Sequence, residues 1–176
     1  QECFIEHVGI PTLPAVRMAA EALKELGMHR EGVQLIVSGG IRSGADVAKA
    51  IALGADAVSI GTAALIALGD NNPDLEEEYN KLGTTAGFYD EWQAGDDPAG
   101  ITTQDEKLAA RLDPKKGGEK LANYLKVLTL EAQTLARACG KSHIRNLEPE
   151  DLNALTLEAS AMAKVPLAGT DWIPGK

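Results

Sequence analysis

Cysteine is nearly absent from the 176 residues: Cys3 and Cys139 are the only two. So distant a pair builds no disulfide framework, which suits a reducing compartment and a cytoplasmic chain. Basic residues are in the minority, with 17 Lys and Arg against 26 Asp and Glu and a formal net charge of −9. Nucleic acids and anionic membranes require clustered Lys and Arg, so neither is expected as a main partner. No run of eighteen apolar residues exists to span a bilayer, and no signal peptide is read at this start. Internal repeats, low-complexity tracts, a nucleophile elbow, a zinc pattern and a catalytic triad are also missing. The one Gly-rich stretch is not followed by G-K-[ST], which excludes a Walker loop.

The 44% hydrophobic composition is enough for one good core. Its organising stretch is residues 33–69, VQLIVSGGIRSGADVAKAIALGADAVSIGTAALIALG. Val33–Val37 and Ala57–Ile60 are short, β-branched, Gly-bounded runs that predict strands buried on both faces. Between them, Ser43-Gly44-Ala45-Asp46 offers polar starting residues. Val47, Ala50, Ile51 and Leu53 then recur at helical spacing until Gly54, which predicts a helix with one apolar side. A strand, a crossover helix and a second strand form a right-handed parallel unit, with both carboxyl ends at one edge of the sheet.

Both ends carry glycine. In Ser38-Gly39-Gly40-Ile41-Arg42 two residues lack a Cβ, so the backbone bends sharply and a ligand can approach its amides. Gly61-Thr62 opens onto the helix formers Ala63–Leu68, where free N–H groups and a helix dipole favour an anion. In βα barrels phosphate sits after the seventh and eighth strands, at such an extra helix. The plainer alternative is a pair of structural turns. Two Gly-bearing strand ends in one unit, with Arg42 and Thr62 added, favour the phosphate site.

The flanks read as follows. Glu6 and His7, on a loop punctuated by Gly9 and Pro11, are the candidate catalytic pair, since a His there could donate a proton to a 2-oxo acid or its imine. Capping or packing of the loop is the preferred role for His7. Pro14–Leu26 predicts a helix with Val16, Ala19, Ala20, Leu23 and Leu26 inside and Gly27 at its end, and His29 follows in a solvated turn. Asp70–Asp74 is a turn cluster and Leu75–Leu82 a short charged helix.

Residues 83–104 are irregular. Phe88, Tyr89 and Trp92 pack the loop, or else cover a ligand, and Asp90, Glu91, Asp96 and Asp97 form a solvated acidic face without EF-hand spacing. Asp105 or Asp113 caps a helix. The longest helix runs about Gly118–Ala138 to Gly140, burying Leu121, Leu125, Leu128, Ala132 and Leu135, with Cys139 a small buried residue. Asn146 or Glu148 leads into a helix ending near Lys164, and Trp172 anchors a short tail.

The stretch GGIRSGADVAKAIALGADAVSIGTAALIALG, with VGIPT before it and GITTQD after it, resembles the flavin domain of the glutamate synthase family. The similarity covers about residues 4–139. It implies an α/β fold, the C-terminal part of a (βα)8 TIM barrel with extra C-terminal helices. A complete barrel needs about 250 residues, and the chain starts at Gln1 rather than Met, so it is expected to be a fragment or excerpt. The implied layout is a barrel segment at 1–69, an irregular loop at 70–104 and C-terminal helices at 105–176 packing on the barrel.

The resemblance also implies a cofactor, FMN. Gly39, Gly40, Gly61 and Thr62 would hold its phosphate, with Ser38 and Arg42 near the ribityl-phosphate chain. Related flavoproteins often have Asp where Ser38 stands. The family carries a three-cysteine iron–sulfur motif just before the segment matching Gly100–Asp105, yet residues 69–104 contain no cysteine. Two thiols cannot supply three thiolates, so no cluster is expected from this chain.

The implied activity is reductive formation of L-glutamate from 2-oxoglutarate and ammonia, with partners in a missing N-terminal half, a glutaminase part and an electron donor. Three alternatives stand beside it: an N-methylglutamate synthase subunit using methylamine, a non-catalytic FMN- or phosphate-binding or assembly subunit, and an isomerase or synthase using the same phosphate pocket.

Overall fold

The computed structural model describes residues 8–29, 32–84 and 94–175. Its helices are α1 (Thr12–Glu25), α2 (Gly44–Ala52), α3 (Thr62–Leu68), α4 (Glu76–Lys81), α5 (Glu106–Ala109), α6 (Pro114–Ala138) and α7 (Leu157–Ala163). Two strands, β1 (Ile36–Ser38) and β2 (Ala57–Ser59), pair in parallel with Ile36 opposite Ala57 and Ser38 opposite Ser59. The fold is mixed α/β, mostly helical with a small parallel sheet. Two compact units divide it: residues 1–60 with 128–176, and residues 61–127.

The first unit is built on the strand–helix–strand segment. Ser43 takes extended backbone and its Oγ accepts from the Asp46 N–H at 3.3 Å, which starts α2 by satisfying one of its orphan amides. Val47, Ala50, Ile51 and Leu53 are all buried, as their spacing predicts. Ahead of β1, Asp56 and Leu35 pair in both directions: the Leu35 N–H donates to Asp56 Oδ2 at 2.9 Å and the Asp56 N–H donates to Leu35 O at 2.8 Å.

The strands are shorter than predicted, and only Val37 of β1 is buried. Ile36 remains 62% exposed. The expectation of burial on both faces therefore fails. Alternate residues face opposite ways, and among the described residues only the side of Val37 is covered.

The helix at the front starts earlier than expected, at Thr12, and buries Val16 and Ala20. Leu26 falls in the turn beyond it and is exposed. Here α1 packs on β1 and on α7. Between Glu148 and Lys164 the expected single helix is broken. Glu148 and Asp151 form a capping box around one tight turn, Pro149–Asp151, then Leu152 is extended, and α7 has its own cap in Thr156, whose Oγ1 accepts from the Ala159 N–H. Leu167 forms an isolated parallel bridge with Ala154, and its N–H donates to the Trp172 carbonyl. The tail is thus held by main chain, and the Trp172 side chain, expected as the anchor, is half exposed.

Within this unit α6 buries Leu128, Ala132 and Ala136. The stripe steps by four residues toward Gly140. Leu135 and Cys139 sit one position, about 100° of helix, off it, and both are exposed, against the expectation that they are buried.

The second unit holds α3, α4, α5 and the start of α6, which begins at Pro114 rather than Gly118. Asp105 caps α5 by accepting from the N–H groups of Lys107 and Leu108. Asp113 does the same for Lys115 and Lys116 at the start of α6. Both caps agree with the sequence.

Candidate phosphate-binding turn

At the carboxyl end of β1 the chain makes its sharpest departure from ordinary backbone. Gly39 has φ +103° and Gly40 φ +74°, a region in which any side chain is strained. Both glycines and Ser38 are exposed. A Cβ at Gly40 would meet nothing within 4 Å, so the space in front of its peptide is open. Ile41, only 8% exposed, pins the turn to the core.

Three hydrogen-bonded contacts fix the exit of the turn. The Arg42 N–H donates to Asp46 Oδ2 at 3.1 Å, and Arg42 Nε reaches the same oxygen at 3.3 Å. Ser43 caps α2 as described. The Gly44 N–H donates to Glu131 Oε2 at 2.7 Å, across 87 residues of sequence. A Cβ at position 44 would overlap the Leu128 carbonyl and the Ala132 amide, so only glycine lets α6 lie this close. The Arg42 side chain is 79% exposed despite its ion pair, and such a pair is weak enough to yield to another anion.

Ile60 follows β2 directly, and the second unit opens at Gly61. Gly61 is the N-cap of α3, with its carbonyl accepting from Ala64 and Leu65, and Thr62 is the first helical residue. Both are exposed, with open space at the position of a Gly61 Cβ. Glu6 and His7 lie outside the described residues, as do Phe88, Tyr89, Asp90, Glu91 and Trp92.

Two corrections concern polar residues. His29, expected to be solvated, is half-buried and its Nε2 lies 3.0 Å from the Gly54 carbonyl, tying the turn after α1 to the end of α2. Asp97, expected on a solvated face, is fully buried. It accepts from the N–H groups of Ala99, Ile101 and Thr102 at 2.9, 2.8 and 3.1 Å. The hydroxyl of the fully buried Tyr79 lies 3.3 Å from Asp97 Oδ1 and 3.4 Å from Asp70 Oδ1. Burial, then the Asp97 charge, pushes the phenol well above its ordinary value. The sequence did hold a signal for Asp97: Asp-Pro-Ala-Gly at 97–100 is a turn sequence, and the Gly100 N–H closes it onto the Asp97 carbonyl at 3.0 Å.

A parallel strand–helix–strand unit with an exposed glycine turn after its first strand defines the class: an α/β protein, mostly helical, with a small parallel sheet. The conserved region in glutamate synthase matches residues 1–72 and 93–142. The chain belongs to the glutamate synthase family.

It is 73% identical, over its whole length, to a glutamate synthase large subunit-like protein of Rhizobium meliloti (strain 1021), and covers 40% of that protein. Over 82% of its length it is 42% identical to an archaeal glutamate synthase [NADPH] of Methanocaldococcus jannaschii, covering 25% of it. An archaeal-type glutamate synthase [NADPH] of Thermotoga neapolitana is 39% identical over 81% of the chain, again with 25% of the relative covered. The chain thus spans well under half the length of these relatives. No solved structure matches it.

Proposed function

We propose that this chain supplies the phosphate anchor of an FMN-dependent glutamate synthase-type oxidoreductase, on the last strands of a TIM barrel that residues outside this chain complete. The observation that carries the proposal is the Gly39-Gly40 turn, twice in positive φ and exposed, with open space at Gly40 and Thr12 Oγ1 3.6 Å from where a Gly39 Cβ would lie, at the carboxyl end of a parallel strand. A phosphate fits such a turn because no side chain stands between it and the main-chain amides.

In this proposal the Gly39 and Gly40 peptides, with Gly61 and the Thr62 hydroxyl at the start of α3, receive the FMN phosphate. Arg42 turns from Asp46 to neutralise it, and the Ser38 hydroxyl bonds the ribityl chain. When bound, FMN supplies hydride chemistry, by which an imine of 2-oxoglutarate and ammonia becomes L-glutamate. The chain's own share is to hold the coenzyme at one end and fix its orientation. Glu6 and His7 are the proposed proton-handling pair nearby. Residues 70–104 stand in place of a cluster loop, and 105–176 are helices of the same domain.

The test is flavin binding by the full-length protein, followed by fluorescence quenching, then glutamate formation from 2-oxoglutarate and ammonia. Wild-type protein that leaves FMN fluorescence unchanged removes the proposal. One observation favours a second substrate. The absence of cysteine from residues 69–104 means that electrons arrive by another route, which fits an N-methylglutamate synthase subunit. Methylamine turnover exceeding ammonia turnover selects that variant, and flavin binding with no turnover selects a non-catalytic binding subunit.

A further inference from the structure

We infer that Glu131, on α6, is a positioning residue for the glycine turn, an inference that rests on the phosphate-anchor proposal above. The turn takes positive φ at Gly39 and Gly40, which glycine adopts without strain, so its position depends on what anchors its exit. Ile41 holds it through burial, and Arg42, Ser43 and Asp46 bond to one another within five residues of sequence. Those local bonds would survive if the whole turn and the first turn of α2 moved together. The Glu131 carboxylate, 2.7 Å from the Gly44 nitrogen, ties this exit to a different element, 87 residues away in sequence.

The setting makes that tie specific. Gly44 is buried against the α6 backbone, so its N–H has no solvent to turn to when the carboxylate is withdrawn. Because Gly44 follows Arg42 by two residues, any drift of the exit moves Arg42 and the Gly40–Ile41 peptide with it. A phosphate held by main-chain amides is sensitive to such drift, since its hydrogen bonds are short and directional. Glu131 therefore acts on the ligand through Gly44, without touching it. Its carboxylate also lies at the positive end of α2, where Asp46 already sits, so a ligand anion is directed to the glycines rather than to this helix end.

The experiment compares Glu131→Gln, Glu131→Ala and Glu131→Asp in the full-length protein. Gln keeps an acceptor at the same reach, Ala removes it, and Asp keeps the charge but falls one methylene short of Gly44. Two quantities are read in samples with wild-type near-ultraviolet circular dichroism: FMN affinity by fluorescence quenching, and deuterium uptake by residues 38–46 without flavin.

We expect Glu131→Ala and Glu131→Asp to weaken FMN about tenfold and to speed uptake in 38–46, with Glu131→Gln within about twofold of wild type in both. If Glu131→Ala does not fold, Glu131→Asp carries the comparison. Unchanged affinity and uptake in the shortened variants overturn the inference, as does Glu131→Gln behaving like Glu131→Ala. Wild-type protein that binds no FMN defeats the anchor proposal instead. The uptake measurement then still decides whether Glu131 holds the turn.

Discussion

The glycine turn after β1 and the carboxylate clasp around Tyr79 are both loops without regular structure, yet they are built on opposite terms. The turn is exposed and small, with two successive glycines at positive φ. The clasp is sealed, and Asp97 takes up three main-chain N–H groups that would otherwise be orphaned. One loop leaves hydrogen-bonding capacity for a ligand, and the other uses its capacity on itself. Substitutions should accordingly separate binding from stability.

The largest effect is expected at the clasp. Asp97→Ala leaves three main-chain amides without their acceptor, at about 1–3 kcal/mol for each unsatisfied group before relaxation, while the Tyr79 hydroxyl keeps Asp70 and the Asn71 N–H. A net loss of about 4 kcal/mol is expected, read as a lower midpoint in urea, with FMN affinity of the remaining folded protein near wild type. Equal damage to affinity would erase the contrast between the loops.

Next comes Gly40→Val, which forces a β-branched residue to φ +74°. Stability should fall by about 1–2 kcal/mol, while FMN binding weakens at least tenfold, about 1.4 kcal/mol or more. Alkaline titration sharpens the comparison further. Tyr79 ionises less readily folded than unfolded. The stability it contributes is thus fully present below the ordinary phenol range and is lost as pH rises above about 10. In Tyr79→Phe that part of the alkaline decline should disappear from a series of urea midpoints against pH. The smallest effect belongs to Arg42→Ala: about threefold weaker FMN and a stability change below about 0.5 kcal/mol, because its partner Asp46 is an exposed-pair acceptor.

How legible each loop was follows from range. Val47, Ala50, Ile51 and Leu53 announced the inner face of α2 because helical spacing is a local signal, and Ser43 with Asp46 announced its start for the same reason. The paired glycines were visible since positive φ of that kind admits few other residues. Asp97 had a local signal in its turn sequence, but its burial was hidden because it packs with Tyr79, eighteen residues away. Glu131 left no local trace: an acid on a helix surface looks the same whether it meets water or an amide 87 residues distant. His29 was read as solvated for the same reason, its contact with the Gly54 carbonyl lying 25 residues away. The strand faces misled in another way, because a continuous apolar run implies cover on both sides, and Ile36 is left 62% exposed by the described residues.

The crowding at Gly44 has a genetic consequence. Ordinary steric lesions can be relieved by trimming the neighbour, but here the two nearest atoms in the way, ahead of the Glu131 Cβ, are the Leu128 carbonyl oxygen and the Ala132 main-chain nitrogen, which every amino acid carries. A Gly44→Ala allele should therefore yield only true revertants in a suppressor screen, and none with compensating changes at 128 or 132.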